Sequence, residues 1–146
     1  MNTFKRFGYA VSAALLAVLI SFAHATAQTS SPAGANVYFI NLRDGDTVSS
    51  PFKVQFGLTG MGVVPAGVEK PNTGHHHLFI DIDLSADELK VPIPADAKHL
   101  HFGGGQTEAM VTLPPGQHSL RLVLGDWSHI PHVPPVTSPV INVTVK

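Results

Sequence analysis

Apolar residues along most of this chain recur at every second position, a period that gives a β-strand one buried face and that a helix cannot use. Phe52, Val54, Phe56 and Leu58 fall in one phase, with Lys53 and Gln55 in the other. Leu120, Leu122 and Leu124 alternate with Arg121, and Ile141, Val143 and Val145 share a phase near the end. The same spacing holds for Leu78, Ile80, Ile82 and Leu84, and for Ala109, Val111 and Leu113. These stretches predict strands over about 36–41, 52–58, 76–84, 107–113, 118–124 and 140–145. Asp44-Gly45-Asp46 and Pro114-Pro115-Gly116-Gln117 supply turn chemistry between them. Helical spacing is confined to Ser85 and Glu88, which match a capping box for one helical turn; a short extra strand between Leu84 and Leu100 is the other reading of that region. Together the pattern predicts an all-β protein, an immunoglobulin-like β-sandwich of six or seven mainly antiparallel strands.

The first 27 residues follow a different pattern. Lys5 and Arg6 precede an apolar run over 11–20, and two A-x-A patterns follow, Ala23-His24-Ala25 and Ala25-Thr26-Ala27. That order is a secretory signal peptide over 1–27, cleaved after Ala27 or, second, after Ala25. The apolar run is too short for a stable membrane span. Residues 28–35 are small and polar and predict a flexible lead-in. Residues 36–146 then form a single domain with one core, in a periplasmic or secreted protein.

Without Lys5 and Arg6 the remaining chain has 7 Lys+Arg against 10 Asp+Glu, a formal charge of −3. It has no basic stripe for a phosphate backbone, so nucleic acid is excluded as a partner. There is no cysteine, which removes disulfides, thiolate chemistry and a lipid-bearing cysteine.

Histidine carries the candidate chemistry. Gly74-His75-His76-His77 runs directly into the Leu78–Leu84 pattern, and His99, His101, His118, His129 and His132 follow. Greek-key order returns the 60–74 loop, the triple, 99–106 and 126–132 to one end of a sandwich and leaves only His118 at the other. The candidate metal ligands are therefore His75, His76, His77, His99, His101, His129 and His132. Within the triple, strand phase sets His76 on the core side, while His75 and His77 share the opposite face with Asp81 and Asp83 and fit a surface chelate. Asp81, Gln106, Glu108 and Asp126 are candidate supporting groups for the imidazole N–H.

Neutral imidazoles and carboxylates without thiolate suit copper(II), zinc or nickel, with copper(II) or zinc as the expected cofactor. Met61 and Met110 are too few and scattered for a thioether copper site, and Met110 is read as a packing residue. Trp127 reads as a loop anchor rather than a stacking platform. The same histidines also fit an ordinary hydrogen-bonded rim. In that reading the chain is a non-catalytic envelope binding or structural module, whose partner is an envelope component rather than a metal ion. A metal-dependent enzyme is a third reading, but no nucleophile elbow or phosphate-cradling loop supports it.

Four segments in order carry a family resemblance: 74–81 (Gly-His-His-His-Leu-Phe-Ile-Asp), 99–108, 113–120 and 125–132. Together they resemble the bacterial exported domain of unknown function 4399 family, over about 72–146. The resemblance implies an exported, single-domain, β-rich protein and brings no activity with it.

Overall fold

The computed structural model describes residues 28–146. The signal peptide expected over 1–27 lies outside the described residues. The strands are β1 (Asn36–Phe39), β2 (Thr47–Val48), β3 (Phe52–Thr59), β4 (Gly62–Val63), β5 (Thr73–Ile80), β6 (His99–His101), β7 (Glu108–Val111), β8 (Gly116–Gly125) and β9 (Ile141–Val145). The number exceeds the predicted six or seven because β2, β4 and β6 are too short to show a period. They form two sheets, one ordered β1-β3-β7 and the other β2-β9-β8-β5-β4, with β6 also paired to β5. Pairing is antiparallel except where β2 meets β9 and β4 meets β5.

The two sheets close on one core, as the alternation predicts. Val37, Phe52, Val54, Phe56 and Val111 from the smaller sheet meet Leu78, Ile80, Leu120, Leu122, Leu124, Ile141, Val143 and Val145 from the larger. Each fully buried leucine or valine here contributes about 1.5–3 kcal/mol relative to exposure. The described chain is an all-β sandwich. Met110, expected to pack, is instead 60% exposed; it lies out of phase with Val111 and points away from the core. Among the described residues, no helix is long and apolar enough to cross a membrane.

Two departures from the predicted pattern shape the site. The central strand β5 begins at Thr73 and stops at Ile80, earlier at both ends than expected. Asp81 turns the chain with φ 55°, and its carboxylate accepts from the Ser119 N–H at 2.9 Å. Ile82 and Leu84 therefore leave the core phase and join Phe79, Ile93 and Val123 in a second apolar cluster on the outer face. That outer layer is the other departure: every residue of β5 is buried, so the sheet has no solvated face there. The 83–98 segment covers part of it, carrying the predicted capping box. Ser85 N–H donates to Glu88 Oε2 at 2.7 Å and Glu88 N–H to Ser85 Oγ at 3.3 Å, opening a 3-10 turn over Glu88–Lys90.

The start of the described chain also differs from expectation. Residues 28–31, read as a flexible lead-in, are fastened to the 126–134 loop. The Gln28 amide donates to Leu89 O and Pro131 O, Thr29 Oγ1 donates to Asp126 Oδ2 at 2.7 Å, and Ser31 N–H donates to Val133 O. Small polar side chains are neutral in periodicity, and here they satisfy loop carbonyls and a buried carboxylate.

Candidate metal centre

Strand phase separates the histidine triple as predicted. His75 and His77 face outward from the sandwich, and His76 faces inward against Phe56, with ring centroids 5.2 Å apart. The expected surface chelate is corrected in one respect: His75, His76 and His77 are all 0% exposed, because the 83–98 and 126–138 segments cover the outer face. Register then decides which rings meet. His77 lies opposite His101 on β6, and His75 opposite Gly125 on β8. A Cβ at Gly125 would stand 2.8 Å from His77 Nε2, so the strand end needs a residue without a side chain to admit that ring. Gly125→Ala is expected to cost about 1–3 kcal/mol by overpacking and to weaken any ligand held by His77; denaturant unfolding with and without metal checks both.

His129 arrives from the 126–134 loop. Asp126 is 2% exposed, and its Oδ1 accepts from Ser128 N–H at 2.9 Å, Ser128 Oγ at 2.8 Å and Ile130 N–H at 3.0 Å. These bonds wrap the chain around residue 129, which sits at φ 71°. Burial raises the Asp126 carboxyl, but the hydrogen bonds from Thr29, Ser128 and Ile130 outweigh it and hold it below its ordinary range.

The result is a group of imidazoles from β5, β6 and one loop. Donor nitrogens of His75, His77 and His101 lie within 4.8 Å of one another. His75 Nε2 and His77 Nε2 are 3.0 Å apart. The His129 ring centroid lies 5.0 Å from that of His75 and 4.8 Å from that of His101. Burial, with the neighbouring rings adding to it, pushes His77 down to about 2 and His75 down to about 4. Burial, with His129 beside it, lowers His101 as well. All three therefore keep a free lone pair at neutral pH, the form a metal requires. His75 Nδ1, His77 Nδ1 and His101 Nε2 are buried without a hydrogen-bond partner. Each such atom carries a penalty of about 1–3 kcal/mol, and an ion held between the His75 and His77 Nε2 atoms would partner His101 Nε2 while leaving the two Nδ1 atoms as they are.

The other expected ligands do not join. His76 is on the wrong face of β5. His99 is two residues from His101 on the same face, beside Phe79 at a centroid distance of 4.7 Å, with its Nδ1 2.9 Å from Asp96 Oδ1. His132 is buried between the backbone carbonyls of Thr73 and Leu124, at 3.2 and 3.4 Å. His118 lies at the far end, as predicted, bound to Asp81 at 2.8 Å.

Nor do the expected supporting groups reach the cluster. Asp81 serves His118 and Ser119. Gln106 folds back on Gly104 N–H at 2.9 Å. Glu108 pairs with Lys53 and Gln55 across the smaller sheet. Asp126 acts on the loop backbone rather than on a ring. Trp127, expected as an anchor, is 36% exposed. Two contributors escape sequence reasoning altogether: Gly125, whose role follows only from register, and Thr29, whose hydroxyl reaches Asp126 across 97 residues.

Fold and site together define an all-β sandwich with a covered histidine cluster on the outer face of its larger sheet. The chain belongs to the family described as Domain of unknown function (DUF4399), whose model matches residues 54–146. No curated protein matches the chain. Among solved structures, the endo-beta-1,4-mannanase from Thermotoga petrophila is similar at a TM-score of 0.43 and 16% identity. The likeness covers 77% of this chain, which spans only 20% of that one, and so distant a likeness says nothing of activity.

Proposed function

We propose that this protein is an exported domain that holds one transition-metal ion, zinc or copper(II), through His75, His77 and His101. The observation that carries the proposal is the convergence of three donor nitrogens within 4.8 Å, from strands locked together by the His77–His101 register. The donor set is imidazole alone, which suits zinc, copper or nickel and gives calcium or magnesium nothing to bind. The expected signal peptide supports export, and amino-terminal sequencing of the protein recovered from its native compartment tests that part.

Elemental analysis of the purified domain, after exposure to zinc or copper(II) and desalting, tests the metal. Near-stoichiometric retention is expected for the wild type and loss of retention for His101→Ala. His101 is partly exposed, so its truncation leaves the core intact. A purely structural cluster predicts no retention in either protein, and that result rejects the proposal.

A further inference from the structure

Resting on that reading, we infer that His129 is a fourth ligand, and that the site is a closed, tetrahedral, four-imidazole one suited to zinc rather than to copper(II). The six centroid separations among His75, His77, His101 and His129 are 4.8, 5.0, 5.0, 5.0, 6.1 and 4.8 Å. An ion about 2.0–2.1 Å from each nitrogen sits about 3 Å from each ring centre, and four rings placed tetrahedrally around it have centres about 5 Å apart. Five of the six separations meet that figure. The sixth, His77 to His129, is longer, and the donor nitrogens within 4.8 Å of one another are those of the other three rings, so the His129 ring must move inward to complete the set. Four centres nearly equidistant from one another cannot lie in a plane, so the arrangement opposes the square-planar preference of copper(II).

The backbone around His129 supports the assignment independently. A non-glycine residue at φ 71° is held against its own preference, and such strain persists only where the surroundings over-determine it. Here Asp126 supplies that constraint through Ser128 and Ile130, while Thr29 Oγ1 holds the carboxylate from behind. The loop also adds a ladder contact, the Gly125–Pro131 bridge, and His129 O accepts from Ile93 N–H at 2.9 Å. The absent side chain at Gly125 leaves a Cβ position 3.5 Å from His129 Cα, close enough to bring the loop against His77. Asp126 is thus a positioning residue: it touches no donor nitrogen and fixes the one that completes the set.

Cobalt(II) is the test, because its visible absorption is intense in a tetrahedral site and weak once water raises the coordination number. The wild type is expected to show the intense spectrum. At saturating cobalt, His129→Gly and His129→Ala are expected to fill still, through the remaining three rings, but with a changed spectrum as water takes the fourth position. Their zinc affinity should fall by more than the roughly 10–100-fold typical of losing a mere supporting partner. Glycine suits the observed dihedral, so that variant separates loss of a ligand from loss of the fold. Asp126→Ala should weaken the spectrum in the same sense with His129 intact. Identical spectra and affinities in wild type and both His129 variants overturn the inference and leave the three-histidine site standing. Absence of any cobalt or zinc uptake by the wild type overturns both.

Discussion

His77→Ala removes most of the stabilisation that zinc confers on the wild-type domain. For a ligand that binds only the folded state, an excess of a thousandfold over the dissociation constant adds about 4 kcal/mol. In a domain of this size that raises the melting temperature by roughly 10–25 °C. His77 lies 4.8 Å from His75 and 5.0 Å from His101, centre to centre, and it is fully buried. The measurement is a pair of thermal melts for each protein, one with zinc and one with chelator. The variant's two curves should nearly coincide while the wild type's separate widely. A zinc-dependent shift as large in His77→Ala as in the wild type places the ion elsewhere.

The metal-free domain is expected to lose stability steeply as pH falls from about 6.5 toward 4. Burial holds His76 down to about 4 against an ordinary value of 6.5, with the nearby Gln106 backbone pulling weakly the other way. Above 6.5 both the folded and the unfolded chain carry the neutral ring, and the group contributes no pH dependence. Below it the unfolded chain takes up a proton that the folded chain refuses, so unfolding gains. For His76 alone the change is about 3 kcal/mol once pH has passed through the folded value, set against a typical total of about 5–15 kcal/mol. His75 and His77, lowered in the same direction, steepen the fall. His118 opposes it. Its hydrogen bond to Asp81 raises it, so that pair stabilises at acid pH and weakens as pH climbs through the raised value. Urea denaturation in the presence of chelator, repeated across this range, measures the slope. His76→Leu keeps an apolar body against Phe56 and cannot titrate, and it is expected to shift the acid limb to lower pH. A flat profile in the wild type would show that the rings protonate without resistance, contrary to their burial.

The strands with long alternating runs were legible because period and burial coincide in them. β3, β8 and β9 fall where Phe52–Leu58, Leu120–Leu124 and Ile141–Val145 place them. β2 and β4 have two residues each, and no period exists in two residues. β5 ends before its alternation does, because Ile82 and Leu84 keep the apolar period after the backbone has turned at Asp81. They are partly buried, but against the outer cluster. In the site, sequence phase separated His76 from His75 and His77 correctly, and topology gathered the right end of the molecule. It could not say which of His99 and His101 meets His77. That depends on the β5–β6 register, and a shift of two residues would exchange them while keeping every apolar residue inside. The partners of the carboxylates are not legible in the sequence. Those observed, such as Lys53 for Glu108 and Thr29 for Asp126, lie on other segments.

The 83–98 crossover has a consequence for the lifetime of a bound ion. Apart from Ile93 its residues 90–98 are exposed, and it is the only covalent link between the strand bearing His75 and His77 and the strand bearing His101. A protease that severs one peptide bond there leaves His75 and His77 on one fragment and His101 on the other, with β6 still anchored by its ladder to β5 and by Phe102 in the core. An ion held by the three rings would then bridge two fragments, and its retention would depend on their staying paired through β5 and β8.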